Sequence, residues 1–193
     1  MKKRPLAFLL ALLLVCSIGF ATTFSVLAAD NTDNYKNELW LLLDKDRIMV
    51  RGKADTSEGA PFSPEDATDT AYLPLDAVAK YAKADLSIDG DTVTLRQGED
   101  TLTLTAGSAA WEKNGTAMTP FLKSVLVKEG VPYVSILSAC AMFDYKSYFD
   151  RDIGLVVLSS ERISYKTNDK TTLELEIKKI ALFLFDHPTG EEV

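Results

Sequence analysis

The segment Tyr72-Leu73-Pro74-Leu75 has a counterpart in Tyr133-Val134-Ser135-Ile136, 61 residues further on (133 − 72). The same offset carries Val78 onto Ala139, Ala79 onto Cys140, Ile88 onto Phe149 and Asp89 onto Asp150. Upstream, Gly52 meets Gly115 at an offset of 63. Leu75, Val78, Ala79 and Ala82 fall at i, i+3, i+4 and i+7, one face of a helix, and Ile136, Ala139, Cys140 and Phe143 do the same. Each stretch therefore reads as strand, short helix and hairpin. One copy alone would leave an apolar sheet face uncovered, so both are expected to share a core. The expected fold is α+β, with two pseudo-repeated strand-helix-hairpin units sharing one core, about 38–105 and 106–160, plus a C-terminal helix.

Hairpin signals fill the rest of this region. Leu39–Leu43 and Arg47–Val50 flank Asp44-Lys45-Asp46. Asp89-Gly90-Asp91 separates Leu86–Ile88 from Thr92–Leu95, and Thr101–Thr105 alternates strictly, as a strand with one buried face does. Val125–Val127 and Val131–Val134 bracket Lys128-Glu129-Gly130, and Asn114-Gly115 marks a tight turn. After residue 160 the character shifts. Leu173, Ile177, Ile180, Ala181 and Leu184 fit one helical face, so a helix over 170–185 is expected, with Asp169 as its cap and Pro188 as its stop. Residues 161–193 are read as a helical tail. Thr189-Gly190-Glu191-Glu192 has the form of a capping box, which suggests a piece of a longer protein.

The first residues have another purpose. Lys2, Lys3 and Arg4 precede an uncharged run, which ends at Ser25-Val26-Leu27-Ala28-Ala29-Asp30. This reads as a signal peptide over 1–28, cut after Ala28 or after Ala29, with a flexible leader over 29–37. The competing reading is an uncleaved membrane anchor. Cleavage removes three basic and no acidic side chains, leaving 18 basic against 28 acidic, a charge of −10. No basic run survives, so nucleic acid and anionic lipid surfaces are poor partners on electrostatic grounds, and no nucleic-acid partner is expected. Membrane contact is expected only through an uncleaved leader. Cys16 leaves with the leader and Cys140 stands alone, so no intramolecular disulfide supports the fold.

With one histidine and two cysteines, the chain is poorly supplied for metal or nucleophilic chemistry. His187, in Asp186-His187-Pro188, reads as a solvated tail residue. Cys140 lies on the apolar helix face and reads as a small buried hydrophobe. Asp55, Glu58, Glu65, Asp66 and Asp69 concentrate carboxylates in one loop, but the alternating pattern of a calcium loop is missing. No catalytic, cofactor-binding or metal-binding residue is expected. Trp40, Trp111, Tyr133, Tyr145, Tyr148 and Phe149 offer large apolar faces, of which strand alternation buries about half. Tyr72 and Tyr148 are the candidates for surface binding aromatics.

The repeated pattern resembles the bacterial copper amine oxidase N-terminal-like domain, or stalk domain. The residues that carry the resemblance are Arg51-Gly52-Lys53, Leu73-Pro74-Leu75, Ala77-Val78-Ala79 and Ile88-Asp89-Gly90 in the first copy. In the second they are Asn114-Gly115-Thr116, Val134-Ser135-Ile136 and Phe149-Asp150. The pattern departs from the family in two ways: Asp76 and Leu137 stand where the family usually has arginine, and the second copy lacks the proline. The resemblance implies a domain over 38–160, separate from the catalytic domain that holds copper and a tyrosine-derived quinone. It implies a non-catalytic, exported or cell-surface module of a Gram-positive-type bacterium, with no cofactor of its own. Such a module acts as stalk, spacer or envelope-binding domain, its partner being a cell-envelope polymer or protein. The alternatives are an accessory domain of a secreted, polysaccharide-degrading enzyme, or a carbohydrate-binding module.

Overall fold

The computed structural model describes residues 35–65 and 70–161. The signal segment with Ala28 and Ala29, the loop carboxylates Asp66 and Asp69, the expected tail helix and His187 lie outside the described residues. In chain order the strands are β1 (Glu38–Leu42), β2 (Arg47–Val50), β3 (Lys53–Thr56), β4 (Tyr72–Pro74), β5 (Asp85–Asp89), β6 (Thr92–Gln97) and β7 (Asp100–Thr105). They continue with β8 (Trp111–Lys113), β9 (Thr116–Ala117), β10 (Leu126–Lys128), β11 (Val131–Ser135), β12 (Lys146–Asp150) and β13 (Leu155–Ser159). Helix α1 spans Leu75–Ala82 and α2 spans Ile136–Phe143. The strands form three antiparallel sheets, ordered β12-β13-β1-β2-β3, β10-β11-β4 and β5-β6-β7-β8-β9.

This corrects the expected α+β class. The described residues are mostly β, and the two helices have only eight residues each. Both helices stop at a left-handed residue, Lys83 (φ 57°) and Asp144 (φ 53°), and a strand begins soon after, at Asp85 and Lys146. Helical spacing marked both helices at their observed length, Leu75–Ala82 and Ile136–Phe143; what overturns the class is how much of the remaining chain pairs into sheets. Element bounds do recur at 61 residues (136 − 75 for the helices, 146 − 85 for the next strands). That recurrence does not build a fold of repeated strand-helix-hairpin units. The first hairpin, β5-β6, heads a separate five-stranded sheet, whereas β12-β13 joins the sheet of β1. The reason lies in the pairing of each hairpin's second strand: β6 takes the alternating strand β7 as its other neighbour, while β13 pairs back to β1.

The helices also differ in how they begin. In α2 the Ser135 hydroxyl accepts the Ser138 amide hydrogen bond at 3.1 Å, an N-cap. In α1 the corresponding residue is Pro74, which fits just ahead of a helix and makes no such bond. Helix α1 buries every residue except Lys80, while α2 buries Ile136, Ser138, Ala139 and Met142 and leaves Leu137 54% exposed. The buried face of α2 therefore runs through Met142; Cys140 and Phe143 are only half-buried.

One core draws on all three sheets and both helices, with Leu39, Ile48, Leu73, Val78, Leu95, Leu104, Val134, Ile136 and Val156 fully or nearly buried. Burying each such side chain contributes about 1.5–3 kcal/mol. Trp40, Met49, Leu155 and Val157, alternating with the residues of that core along β1, β2 and β13, form a second cluster with Tyr35 on the other face of the sheet. Burial on both faces explains why these strands read as unbroken apolar runs rather than alternating ones. The third sheet does alternate: Val93, Leu95, Leu102 and Leu104 point inward, Thr92, Thr94, Thr103 and Thr105 outward.

The fold closes where it starts. Glu38 of β1 is the partner of Ser159 of β13. Tyr81 from α1 donates its hydroxyl to the Asn37 carbonyl and accepts from the Ser160 amide at 2.7 Å. The Arg51 guanidinium lies 5.0 Å from the Tyr81 ring centroid and donates to the Tyr81 carbonyl at 3.0 Å and the Lys36 carbonyl at 3.3 Å. Tyr35 is buried against Trp40, so the chain is tied down before β1 begins.

Candidate functional site

Three turns that are far apart in sequence meet at one cavity of about 250 Å³. The β1–β2 turn brings Asp44, the loop after β3 brings Glu58, Gly59, Ala60 and Phe62, and the β10–β11 hairpin brings Lys128, Glu129, Val131 and Tyr133. That hairpin is a two-residue turn through Glu129 (φ 56°) and Gly130 (φ 84°), the left-handed pair that matches strand twist.

The wall of the cavity is held by hydrogen bonds. Ser57 Oγ donates to the Gly59 carbonyl at 2.7 Å, the Asp44 amide to the Pro61 carbonyl at 2.9 Å, and the Glu58 amide to Asp76 Oδ2 at 3.0 Å. Phe62 and Tyr72 exchange backbone bonds of 3.0 and 2.7 Å. Asp76 is buried, with Lys80 Nζ 3.6 Å from Oδ2; its Oδ1 has no hydrogen-bond partner. A polar group at such depth costs free energy unless it is bonded, and the Glu58 amide and Lys80 partner its Oδ2.

Aromatic rings form the floor. Phe62 is half-buried, stacked on Tyr72 at 5.4 Å and edge-on to Tyr133 at 5.2 Å. Lys128 Nζ stands 5.2 Å from the Phe62 ring centroid, within cation–π range. The Tyr133 hydroxyl sits so close to Gly59 that a Cβ there would be 2.0 Å away. Burial, and then the charges of Glu129 and Asp76, push the Tyr133 phenol up, so at neutral pH it remains a hydrogen-bond donor. Chemically the cavity offers a ring face, a phenol donor, one ammonium and three carboxylates.

Neither expected binding aromatic lies open on the surface. Tyr72 is 6% exposed and sits behind Phe62, because its strand is covered by the 57–62 loop. Tyr148 is half-buried on β12 and its hydroxyl donates to Asp150 Oδ2 at 3.3 Å; burial and then Asp150 raise its pKa. The two lie in different sheets and form no joint platform. Trp40, Trp111 and Tyr145 are buried, and Trp111 stacks on Phe121 while donating its indole hydrogen to the Thr119 carbonyl at 2.9 Å. The Cys140 thiol is half-buried against the main core and burial raises its pKa, which keeps it protonated. Asp55 pairs with Lys80 at 3.5 Å. Among the described residues no group of three or more His, Cys, Asp or Glu is placed to hold a metal ion.

Sequence reasoning passed over Phe62, read Lys128 and Glu129 as a turn, weighed Glu58 only as one carboxylate of an acidic loop, and placed Val131 and Tyr133 on a strand, with Tyr133 among the large apolar faces. No local motif could have found them, since the site exists only once the three turns converge.

A family model described as copper amine oxidase N-terminal domain matches residues 41–158. No curated protein and no solved structure matches the chain. The matched span begins in β1, ends in β13 and takes in all three sheets and both helices, 118 of 193 residues (158 − 41 + 1). It contains every residue that lines the cavity, and the family is a non-catalytic domain. A single β-rich unit matched over that whole span, the chain belongs to the copper amine oxidase N-terminal domain family.

Proposed function

We propose that this protein is exported and that its non-catalytic domain docks to a polymer of the cell envelope. The observation that carries this reading is the pairing of Glu38 with Ser159. Antiparallel partners lie about 4.5–5.5 Å apart at their Cα atoms. A unit whose chain enters and leaves side by side adds almost no length between its neighbours, which is a poor design for a stalk or spacer. It suits a module that hangs to one side and offers a surface. Export is supported by the basic start and apolar run of residues 1–28. The family description favours a second reading, an accessory domain beside a secreted enzyme, and the side-by-side ends serve that arrangement equally.

Two measurements test the proposal. Mass spectrometry of the secreted protein should find an N-terminus at Ala29 or Asp30, and an intact Met1 in the membrane fraction would contradict it. Co-sedimentation of residues 29–193 with purified envelope should saturate. Uniformly weak, non-saturating binding would favour the accessory-domain reading.

A further inference from the structure

We infer that the cavity between the β1–β2 turn, the 57–62 loop and the β10–β11 hairpin binds a cationic amino sugar, one glucosamine-like unit of a polymer. This rests on the docking reading above and gives it a ligand class. The first argument is charge. Asp44, Glu58 and Glu129 set three carboxylates against the single ammonium of Lys128 in this cavity, so its field favours a cation. The second is the ring. One face of Phe62 is covered by Tyr72, and an ammonium, that of Lys128, lies over the ring at 5.2 Å. Lys128 thus covers the face on which the apolar side of a sugar ring would rest, and its ammonium competes with the ligand's for the carboxylates. The third is size. At about 250 Å³ the cavity falls below the roughly 300–1,000 Å³ of drug-sized sites, which suits one monosaccharide unit rather than an oligomer buried whole. The fourth is the polar rim: the Tyr133 phenol and the carboxylates can bond sugar hydroxyls, while the C–H face of the ring rests on Phe62. The hydrogen-bonded loop wall means that little ordering is needed on binding.

Lys128 gives the test its sharp edge, because it competes with the ligand. Residues 29–193 would be titrated by NMR with glucosamine, N-acetylglucosamine and a lysine amide. Glucosamine should shift resonances of Phe62, Lys128 and Tyr133, while N-acetylglucosamine, which lacks the charge, and the lysine amide, which lacks the ring, should bind at least several-fold more weakly. Lys128→Ala should tighten glucosamine by about three- to tenfold, since it frees the ring face and removes a like charge. The double change Glu58→Gln with Glu129→Gln should weaken it by a similar factor. Phe62→Leu keeps an apolar side chain and should abolish the preference for glucosamine over the lysine amide. Weaker or unchanged binding in Lys128→Ala overturns the inference, as does equal binding of the neutral sugar or of the lysine amide. If the wild-type protein sediments with envelope and these variants do so equally well, the cavity assignment fails while the docking reading stands.

Discussion

Gly59 shows how one residue can hold a site together. Its φ is unremarkable, so the constraint is space: a Cβ would meet Tyr133 Oη at 2.0 Å and Cζ at 3.0 Å. Tyr133 is 4% exposed and wedged edge-on against Phe62, so the ring cannot simply swing away. Gly59→Ala should cost about 1–3 kcal/mol in chemical denaturation and shift the ring resonances of Phe62 and Tyr133. An unchanged midpoint with unchanged ring signals would mean that the loop gives way freely. Tyr145 lies deep in the core, and burial, followed by the neighbouring Tyr81, pushes its phenol up to about 12 from an ordinary 10.0. Tyr81 is raised by burial as well. The folded state favours the neutral phenols, so their contribution is complete below about pH 10 and is lost as pH rises from there toward 12. Stability measured across that window should fall, and Tyr145→Phe should make the fall shallower. An equally steep fall in the variant would remove Tyr145 as its source.

Among the elements, the two short helices show what local spacing reveals and what it hides. The i, i+3, i+4, i+7 pattern located both helices, and the hairpins around Gly90, Gly115 and Gly130 arise from turn chemistry. The same pattern judged the face of α2 only in part: Ile136 and Ala139 are buried as it expects, but Ser138 and Met142 face the core while Cys140 and Phe143 are only half-buried. Ser138 is inside because its hydroxyl and amide both meet the capping Ser135 Oγ, at 2.8 and 3.1 Å. Ser135→Ala should cost about 0.5–2 kcal/mol and raise amide exchange in the first turn of α2. Loss of neither would show that the cap is dispensable. Sheet membership was hidden for a different reason. Whether a hairpin heads its own sheet or joins another depends on long-range pairing such as Leu39 with Leu158, which no window of local sequence contains.

Across the whole molecule, the clasp of Arg51, Tyr81, Asn37 and Ser160 fixes the path by which the chain enters and leaves. Tyr81→Phe removes the hydroxyl shared by Asn37 and Ser160 and should cost about 0.5–1.5 kcal/mol, with faster exchange at the open end of the β1–β13 ladder. Exchange unchanged at Glu38 and Ser160 would show that the strand pairing holds the ends by itself. The cavity belongs to this scale too: Asp44, Phe62 and Lys128 come together only in the finished fold, which is why the sequence pointed instead to Tyr72 and Tyr148. The most direct measurement for the account as a whole is saturable association of residues 29–193 with purified envelope polymer, compared between wild type and Lys128→Ala. The account predicts saturation in both, with the variant the tighter. Binding that never saturates, or that is indifferent to position 128, would contradict it.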